Sequence, residues 1–187
     1  MKIFISLSSR TNINEEFIKD ADYISDAISK IGYDLIVGVA MNKGMPGVVL
    51  QNFNNNGRNI DLMTMKKYKE DPNEFPYVNF SYVENTFDRT KEIYFRSDAL
   101  LLMPGGTGTM SELFSLLEQI RTDESGKKII IYNKNNHYGQ LINQIKKCIE
   151  ERFNDDSIYD YLIISEDKDE LVEQFQTLIE RHVKTKK

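Results

Sequence analysis

Residues 99–112 read Ala-Leu-Leu-Leu-Met-Pro-Gly-Gly-Thr-Gly-Thr-Met-Ser-Glu, an apolar run followed directly by a glycine loop. The first five residues are apolar on both faces, which predicts a buried parallel strand over Ala99–Met103. Pro104 ends the strand, and the glycine loop leads into a helix that the apolar spacing predicts over Thr109–Arg121. A glycine loop at a helix N-terminus can hold a phosphate or carboxylate, because its N–H groups point outward and no Cβ blocks approach.

Strands and helices alternate along the rest of the chain. We predict strands over Lys2–Leu7, Asp34–Val39, Ile60–Met65, Tyr77–Val83, Lys128–Tyr132 and Tyr161–Ser165. We predict further helices over Asn14–Ile31, Pro46–Asn55, Thr86–Phe95, Gly139–Arg152 and Lys168–Val183. This order predicts an α/β, three-layer, Rossmann-like fold with a parallel sheet of about seven strands and helices on both faces. Without a Gly- or Ser-rich linker or an internal repeat, residues 1–187 are expected to form a single domain.

Composition narrows the class of protein. The chain has 187 residues, a net charge of −5, 40% hydrophobic and 28% charged residues, and one cysteine, Cys148. This composition is globular, and its acidic balance argues against nucleic acid as a partner. No apolar run is long enough for a membrane span, and no signal-peptide segment precedes the first strand. With one cysteine and no disulfide to form, the expected location is the cytoplasm.

Polar or glycine-rich loops follow three of the predicted strands. Gly105, Gly106, Thr107, Gly108 and Thr109 form the anion-binding candidate, and Glu112 lies about one turn into the following helix. The loop contains neither a Walker A motif nor a good dinucleotide fingerprint. The alternative to an anion site is a purely structural turn with capping threonines.

Two earlier loops add weaker candidates. Ser8 and Ser9 follow the first strand and suit a polar or ribosyl ligand, although a cluster that caps the first helix is an equal alternative. Gly44 lies in the loop after the second strand, where glycine permits close approach to a ligand but is also common in ordinary turns.

Arg89 begins a charged row, with Glu92 and Arg96, on the helix predicted over Thr86–Phe95. Such a row can be a solvated face with local ion pairs. Alternatively, Arg89 points into the pocket beside the glycine loop, where its guanidinium binds a phosphate or the departing group. No Ser-His-Asp order and no metal-ligating spacing appears, so no metal is expected.

The motif Pro104-Gly-Gly-Thr-Gly-Thr-Met-Ser-Glu112 resembles the Pro-Gly-Gly-x-Gly-Thr-x-x-Glu of the LOG (Lonely Guy) family, also labelled lysine decarboxylase-like. In the same register, Arg89 falls on the arginine of the family's Arg-Lys pair. Asn133 and Tyr138 are similar to its Asn-x-x-Gly-Tyr-Tyr stretch, and Ser8-Ser9 and Gly44-Met45-x-Gly47 to two further loops. The likeness covers roughly residues 1–150.

The resemblance implies a nucleoside 5′-monophosphate phosphoribohydrolase that needs no cofactor or metal and binds a small-molecule nucleotide. It implies Glu112 and Arg89 as catalytic residues and the loops above as the phosphate and nucleotide site. It also implies a homodimer, with the helix over Thr109–Ile120 as a candidate interface. The older label implies a pyridoxal cofactor, for whose Schiff-base lysine the sequence offers no context.

The sequence departs from the family pattern around the base-recognition region. Thr90 stands in place of the lysine in the Arg-Lys pair, and Gly38-Val39-Ala40 replaces three glycines. The sequence therefore leaves both AMP and N6-substituted, cytokinin-type AMP as expected substrates. Two alternatives to hydrolysis remain: a nucleotide or molybdenum-cofactor carrier without turnover, and a glycosyl transferase of the nucleoside deoxyribosyltransferase kind.

Overall fold

The computed structural model describes residues 1–68, 71–123 and 125–185, and its centre is one parallel sheet. The seven strands are β1 (Lys2–Ser6), β2 (Asp34–Val37), β3 (Ile60–Met65), β4 (Asn79–Val83), β5 (Ala99–Leu102), β6 (Ile129–Tyr132) and β7 (Leu162–Ser165). They lie in the order β4-β3-β2-β1-β5-β6-β7, and every neighbouring pair is parallel. The predicted fold class is confirmed.

Helices cover both faces of the sheet. They are α1 (Glu15–Ile31), α2 (Gly44–Asn55), α3 (Thr86–Arg96), α4 (Thr107–Asp123), α5 (Gly139–Glu150) and α6 (Lys168–Thr185). Residues of α1, α2 and α6 form one buried cluster with one face of the sheet, and residues of α3, α4 and α5 form a second cluster with the other face. Each central strand contributes alternate side chains to the two clusters, which is why these strands are apolar throughout.

The chain reverses its direction across the sheet between β1 and β5. From β1 it moves outward through β2, β3 and β4, and it then returns to place β5 on the other side of β1. The loops that leave the carboxyl ends of β1 and β5 therefore diverge and open a crevice between them. This is the place where open α/β sheets bind ligands.

Element boundaries differ from the predictions by only a few residues. The boundary that matters most for the candidate site is the start of α4, which lies at Thr107 rather than Thr109. Half of the predicted glycine loop therefore belongs to the first helical turn. The cap of α1 is Asn14, whose Oδ1 accepts the Glu16 amide at 3.0 Å. The interpretation of Ser8 and Ser9 as caps of this helix is therefore wrong.

Within the described ranges, no helix combines the length and apolar character that crossing a membrane requires.

Candidate functional site

A cleft of about 810 Å3 opens at the carboxyl ends of the central strands, at the β1–β5 divergence. It is lined by the end of β1 and its loop, the loops after β2 and β3, one side chain of α3 and the start of α4. Of the residues predicted for the site, Ser8, Ser9, Arg89, Gly106, Thr107, Gly108, Thr109 and Glu112 line this cleft. The fold brings together side chains that are far apart in sequence because parallel strands end at the same edge.

The start of α4 forms one wall of the cleft. The Met110 amide donates to the Gly106 carbonyl at 3.0 Å, which is the first bond of the helix, so the amides just before it have no helical acceptor. A Cβ on Gly106 or Gly108 would meet no atom within 4 Å, so both glycines face open space. Free amides and a positive helix end make this wall suitable for an anion.

Gly105 has a different role from the other two glycines of the loop. It does not line the cleft, and a Cβ at this position would lie 2.2 Å from Thr109 Oγ1. Glycine is required here because the buried Thr109 side chain packs against the loop backbone. Gly44 also lies outside the cleft lining: it starts α2 with φ +65°, and its missing Cβ faces the Arg10 carbonyl at 3.3 Å.

Glu112 is the buried acid of the cleft, with 9% of its surface exposed. Its Oε1 accepts a hydrogen bond from Arg89 Nη2 at 2.8 Å, and its Oε2 accepts one from Ser6 Oγ at 2.5 Å. Glu112 thus connects the end of β1, helix α3 and helix α4. Both carboxylate oxygens are held in fixed positions at the floor of the cleft.

Burial raises the pKa of Glu112 above the usual glutamate value. The hydrogen bond from Ser6 and the charge of Arg89 oppose this rise, but burial has the larger effect. The carboxyl group is therefore poised for proton exchange at a higher pH than an exposed glutamate. Perturbed carboxyl groups in clefts are frequent at catalytic sites.

Arg89 does not share the exposed face of α3 that its spacing with Glu92 and Arg96 suggested. Arg96 pairs with Glu92 at 2.9 Å on the exposed side of α3, whereas Arg89 turns into the cleft. Its side chain is 14% exposed, and its Nε is buried without an acceptor among the described residues. Thr90, which follows it, donates to the Thr86 carbonyl within the helix and does not line the cleft.

The loop after β1 forms a second wall beside the α4 N-terminus. Ser8 Oγ accepts the Arg10 amide at 3.1 Å, which fixes a turn in the loop, and Ser9 and Arg10 also line the cleft. Hydroxyl groups and a guanidinium opposite free amides suit a phosphorylated sugar.

Several lining residues lie outside the set of predicted site residues, among them Ser6, Gly38, Lys67 and Tyr68. Ser6 ends β1, and its contact with Glu112 shows that it faces the acid. Gly38 lies beside the ion pair of Arg89 and Glu112, since a Cβ on Gly38 would be 3.7 Å from Glu112 Oε1 and 3.8 Å from Arg89 Nη1. Lys67 and Tyr68, after β3, carry no motif, although an aromatic residue after a strand is a weak signal for base binding.

Comparisons with known proteins agree with this architecture. A family model described as possible lysine decarboxylase matches residues 41–175. A probable cytokinin riboside 5′-monophosphate phosphoribohydrolase, LOGL6 of Oryza sativa subsp. japonica, is 28% identical over 81% of this chain and 60% of its own length. Cytokinin riboside 5′-monophosphate phosphoribohydrolase LOG1 of Arabidopsis thaliana is 27% identical over 81% of this chain and 71% of its own length.

The chain thus spans about 60% of the length of the rice relative. Among solved structures, the molybdenum cofactor carrier protein of Chlamydomonas reinhardtii superposes with a TM-score of 0.69 at 12% identity, over 95% of this chain and 97% of the other. At that identity the likeness concerns the fold.

Proposed function

The chain belongs to the family whose model is described as possible lysine decarboxylase, the LOG family, and on that premise we propose that it hydrolyses the N-glycosidic bond of a nucleoside 5′-monophosphate. The products are the free base and ribose 5-phosphate, and AMP or an N6-substituted AMP is the proposed substrate. One observation carries the proposal: a buried carboxylate, Glu112, shares a cleft with the open N-terminus of α4.

The proposed substrate lies with its phosphate on the amides at the start of α4. Gly106 and Gly108 leave room for close approach, and Ser8, Ser9 and Arg10 supply donors from the opposite loop. The ribose then lies over Glu112. This orientation matches the negative phosphate with the positive helix end and keeps it apart from the carboxylate.

The reaction breaks the bond between the anomeric carbon and the base nitrogen through an oxocarbenium-like transition state. Water supplies the new oxygen, the bonding electron pair leaves with the base, and the base takes up a proton. Ionised Glu112 stabilises the positive sugar and accepts the proton of the attacking water. Arg89 holds Glu112 and donates to the departing base or to the phosphate.

Imine chemistry with a lysine, which the decarboxylase description would require, finds less support in this cleft. Among the described lining residues the one lysine is Lys67, which is exposed, with its Nζ 5.1 Å from the ring centroid of Tyr68. A lysine that forms imines is normally buried so that its pKa falls. Hydrolysis through Glu112 uses the buried groups that are present.

The direct test is incubation of the purified protein with a panel of nucleoside 5′-monophosphates, including N6-substituted AMP, with free base measured by chromatography. Adenosine is the matched control without a phosphate. We expect base release from at least one purine monophosphate and none from adenosine. Tight nucleotide binding without product would support a carrier instead, and base exchange between nucleosides would support a transferase; either result would contradict the proposal.

We also propose that the protein is a homodimer that pairs through α3 and α4. Most apolar side chains of α4 belong to the core, namely Leu113, Leu116, Leu117 and Ile120. The helices nevertheless expose Phe87 (87%), Phe95 (62%) and Phe114 (49%), an unusual amount of aromatic surface. Sedimentation of the protein beside a Phe87→Ser/Phe114→Ser variant tests this: a dimer that the substitutions dissociate is expected, and a monomeric parent protein would contradict it.

A further inference from the structure

Two consecutive side chains of the loop between β6 and α5 hold the backbone at Met103 and Gly105. His137 Nε2 lies 3.0 Å from the Gly105 carbonyl oxygen, and the Tyr138 hydroxyl donates to the Met103 carbonyl at 2.7 Å. Burial raises the pKa of Tyr138, and a hydrogen bond from the Gly105 backbone opposes that rise. The carbonyl groups of Met103 and Gly105 are therefore both engaged by this loop.

Both side chains are themselves fixed by their surroundings. The Tyr138 amide donates to Asn133 Oδ1 at 2.8 Å, and the Tyr138 side chain is buried. The His137 ring is more exposed, but it makes edge-to-face contacts with two aromatic rings. The distance between ring centroids is 6.0 Å to Phe17 and 4.7 Å to Tyr138. Since a carbonyl oxygen only accepts, Nε2 of His137 must carry a proton in this arrangement.

The bond to Gly105 also determines where the next amide points. The Gly105 carbonyl and the Gly106 N–H belong to the same planar peptide unit, and in a trans peptide they point in opposite directions. With its carbonyl turned toward His137, this unit directs the Gly106 N–H away from His137. Gly106 lines the cleft, and its α-carbon faces open space.

We propose that His137 and Tyr138 are positioning residues for the phosphate-binding loop: His137 holds the Gly105 peptide and Tyr138 holds the Met103 carbonyl just before it, so that the Gly106 amide is presented to the ligand. This inference rests on the proposed function in one respect, that the start of α4 receives the phosphate. Neither side chain lines the cleft, so both act through the backbone they hold.

A role in packing alone makes a different prediction from a role in amide placement. If only packing mattered, any aromatic ring at position 137 would serve, because the contacts with Phe17 and Tyr138 need a ring and no donor. If the amide matters, a donor at the Nε2 position is required, and a glutamine can supply one from nearly the same place.

The experiment measures the dissociation constant of ribose 5-phosphate by calorimetry for the full chain and three variants. His137→Phe keeps the ring and removes the donor, His137→Gln keeps a donor and removes the ring, and Tyr138→Phe removes only the hydroxyl. Tyr159→Phe, an exposed tyrosine outside the cleft, is the matched control. Thermal unfolding of each variant checks folding, and His137, as an exposed residue, provides a variant expected to fold.

We expect His137→Phe and Tyr138→Phe each to weaken ribose 5-phosphate binding by roughly three- to ten-fold, the factor for one net hydrogen bond. His137→Gln should stay within about two-fold of the unsubstituted protein on the same reasoning, and Tyr159→Phe should leave binding unchanged. Unchanged binding in His137→Phe, or equal loss in the Phe and Gln variants, would overturn the proposal.

The two proposals can fail separately. If the unsubstituted protein binds ribose 5-phosphate, and the variants behave as expected, the positioning role stands even when no nucleotide is hydrolysed. If the unsubstituted protein does not bind ribose 5-phosphate, the assignment of the phosphate site is wrong, and so is the proposed role of His137 and Tyr138.

Discussion

Arg89 Nη2 lies 2.8 Å from Glu112 Oε1, although the two residues belong to different helices and are 23 positions apart. Both side chains are largely buried, at 14% and 11% exposure, so the pair is shielded from solvent. Burial still raises the pKa of Glu112 despite the neighbouring positive charge. The Glu112 carboxylate is thus held by its partners in a buried environment that disfavours its negative charge. Changes to either the partners or the carboxylate should therefore alter activity, stability or their pH dependence.

Replacement of Glu112 by glutamine should remove activity while the chain still folds at neutral pH. We expect the rate of base release to fall by about 10²–10⁴-fold, as for a lost acid–base group. A raised pKa means that the folded chain binds the proton more tightly than the unfolded chain, so stability falls as pH rises through the Glu112 pKa. The glutamine cannot ionise and should lack this fall.

Urea unfolding and base release across pH check the Glu112 prediction. Glu118→Gln is the matched control, because Glu118 lies on the same helix and pairs with Arg121 in the exposed region. Normal hydrolysis by Glu112→Gln would contradict the assignment of the carboxylate.

Replacement of Ser6 by alanine should shift the pH profile of the reaction. The Ser6 hydroxyl lowers the pKa of Glu112, so its removal should raise that pKa further above the usual glutamate value. If the reaction requires ionised Glu112, the acidic limb of the rate moves to higher pH and activity recovers on the alkaline side. Ser97→Ala, a buried serine outside the cleft, is the control. A uniform loss at every pH would argue against this role.

Replacement of Arg89 by alanine should reduce activity and leave the buried Glu112 oxygen without its charged partner. Removal of one member of a buried ion pair costs about 3–5 kcal/mol when the other charge remains. Because Glu112 can take up a proton instead, we expect the stability loss to shrink as pH falls. Arg96→Ala on the same helix, whose pair with Glu92 is exposed, should have little effect. Denaturant titration at two pH values measures the difference.

The three glycines of the loop should respond differently to alanine. At Gly106 and Gly108 a methyl group meets no protein atom, so the protein should fold normally while ribose 5-phosphate binding weakens. Gly108 lies in the first turn of α4, where alanine is the better helix former by up to about 1 kcal/mol.

At Gly105, by contrast, the methyl group overlaps Thr109 Oγ1 and should reduce stability. Thermal unfolding with a parallel titration of ribose 5-phosphate separates the two effects. Equal behaviour of all three variants would contradict the distinction drawn between the glycines.

Much of the fold could be predicted from the sequence because it depends on local patterns. Continuous apolar runs of about five residues indicate buried parallel strands, and the spacing of apolar residues in α1 indicates its buried face. The glycine loop after β5 could likewise be assigned to an anion, since a helix N-terminus after glycine presents free amides whatever surrounds it.

The partners of each site residue could not be predicted in the same way. Ser6 and Glu112 are 106 positions apart, and His137 reaches Gly105 from a different loop. No periodicity or motif encodes such contacts, because they arise only when the strand order brings separate strand ends to one edge. Gly44, which the sequence grouped with the site, starts α2 outside the cleft because its backbone conformation serves the turn.

Short-range patterns and backbone chemistry therefore predict the α/β alternation, the parallel sheet and the position of the glycine loop. Three further features appear only in the packed chain: Arg89 turns from the exposed side of α3 toward Glu112, Ser6 holds the other carboxylate oxygen, and burial raises the pKa of this acid. The physical reason is that desolvation and side-chain contact are properties of the packed chain. They exist once the loops of β1 and β5 have diverged and α3 and α4 have closed over the same face of the sheet.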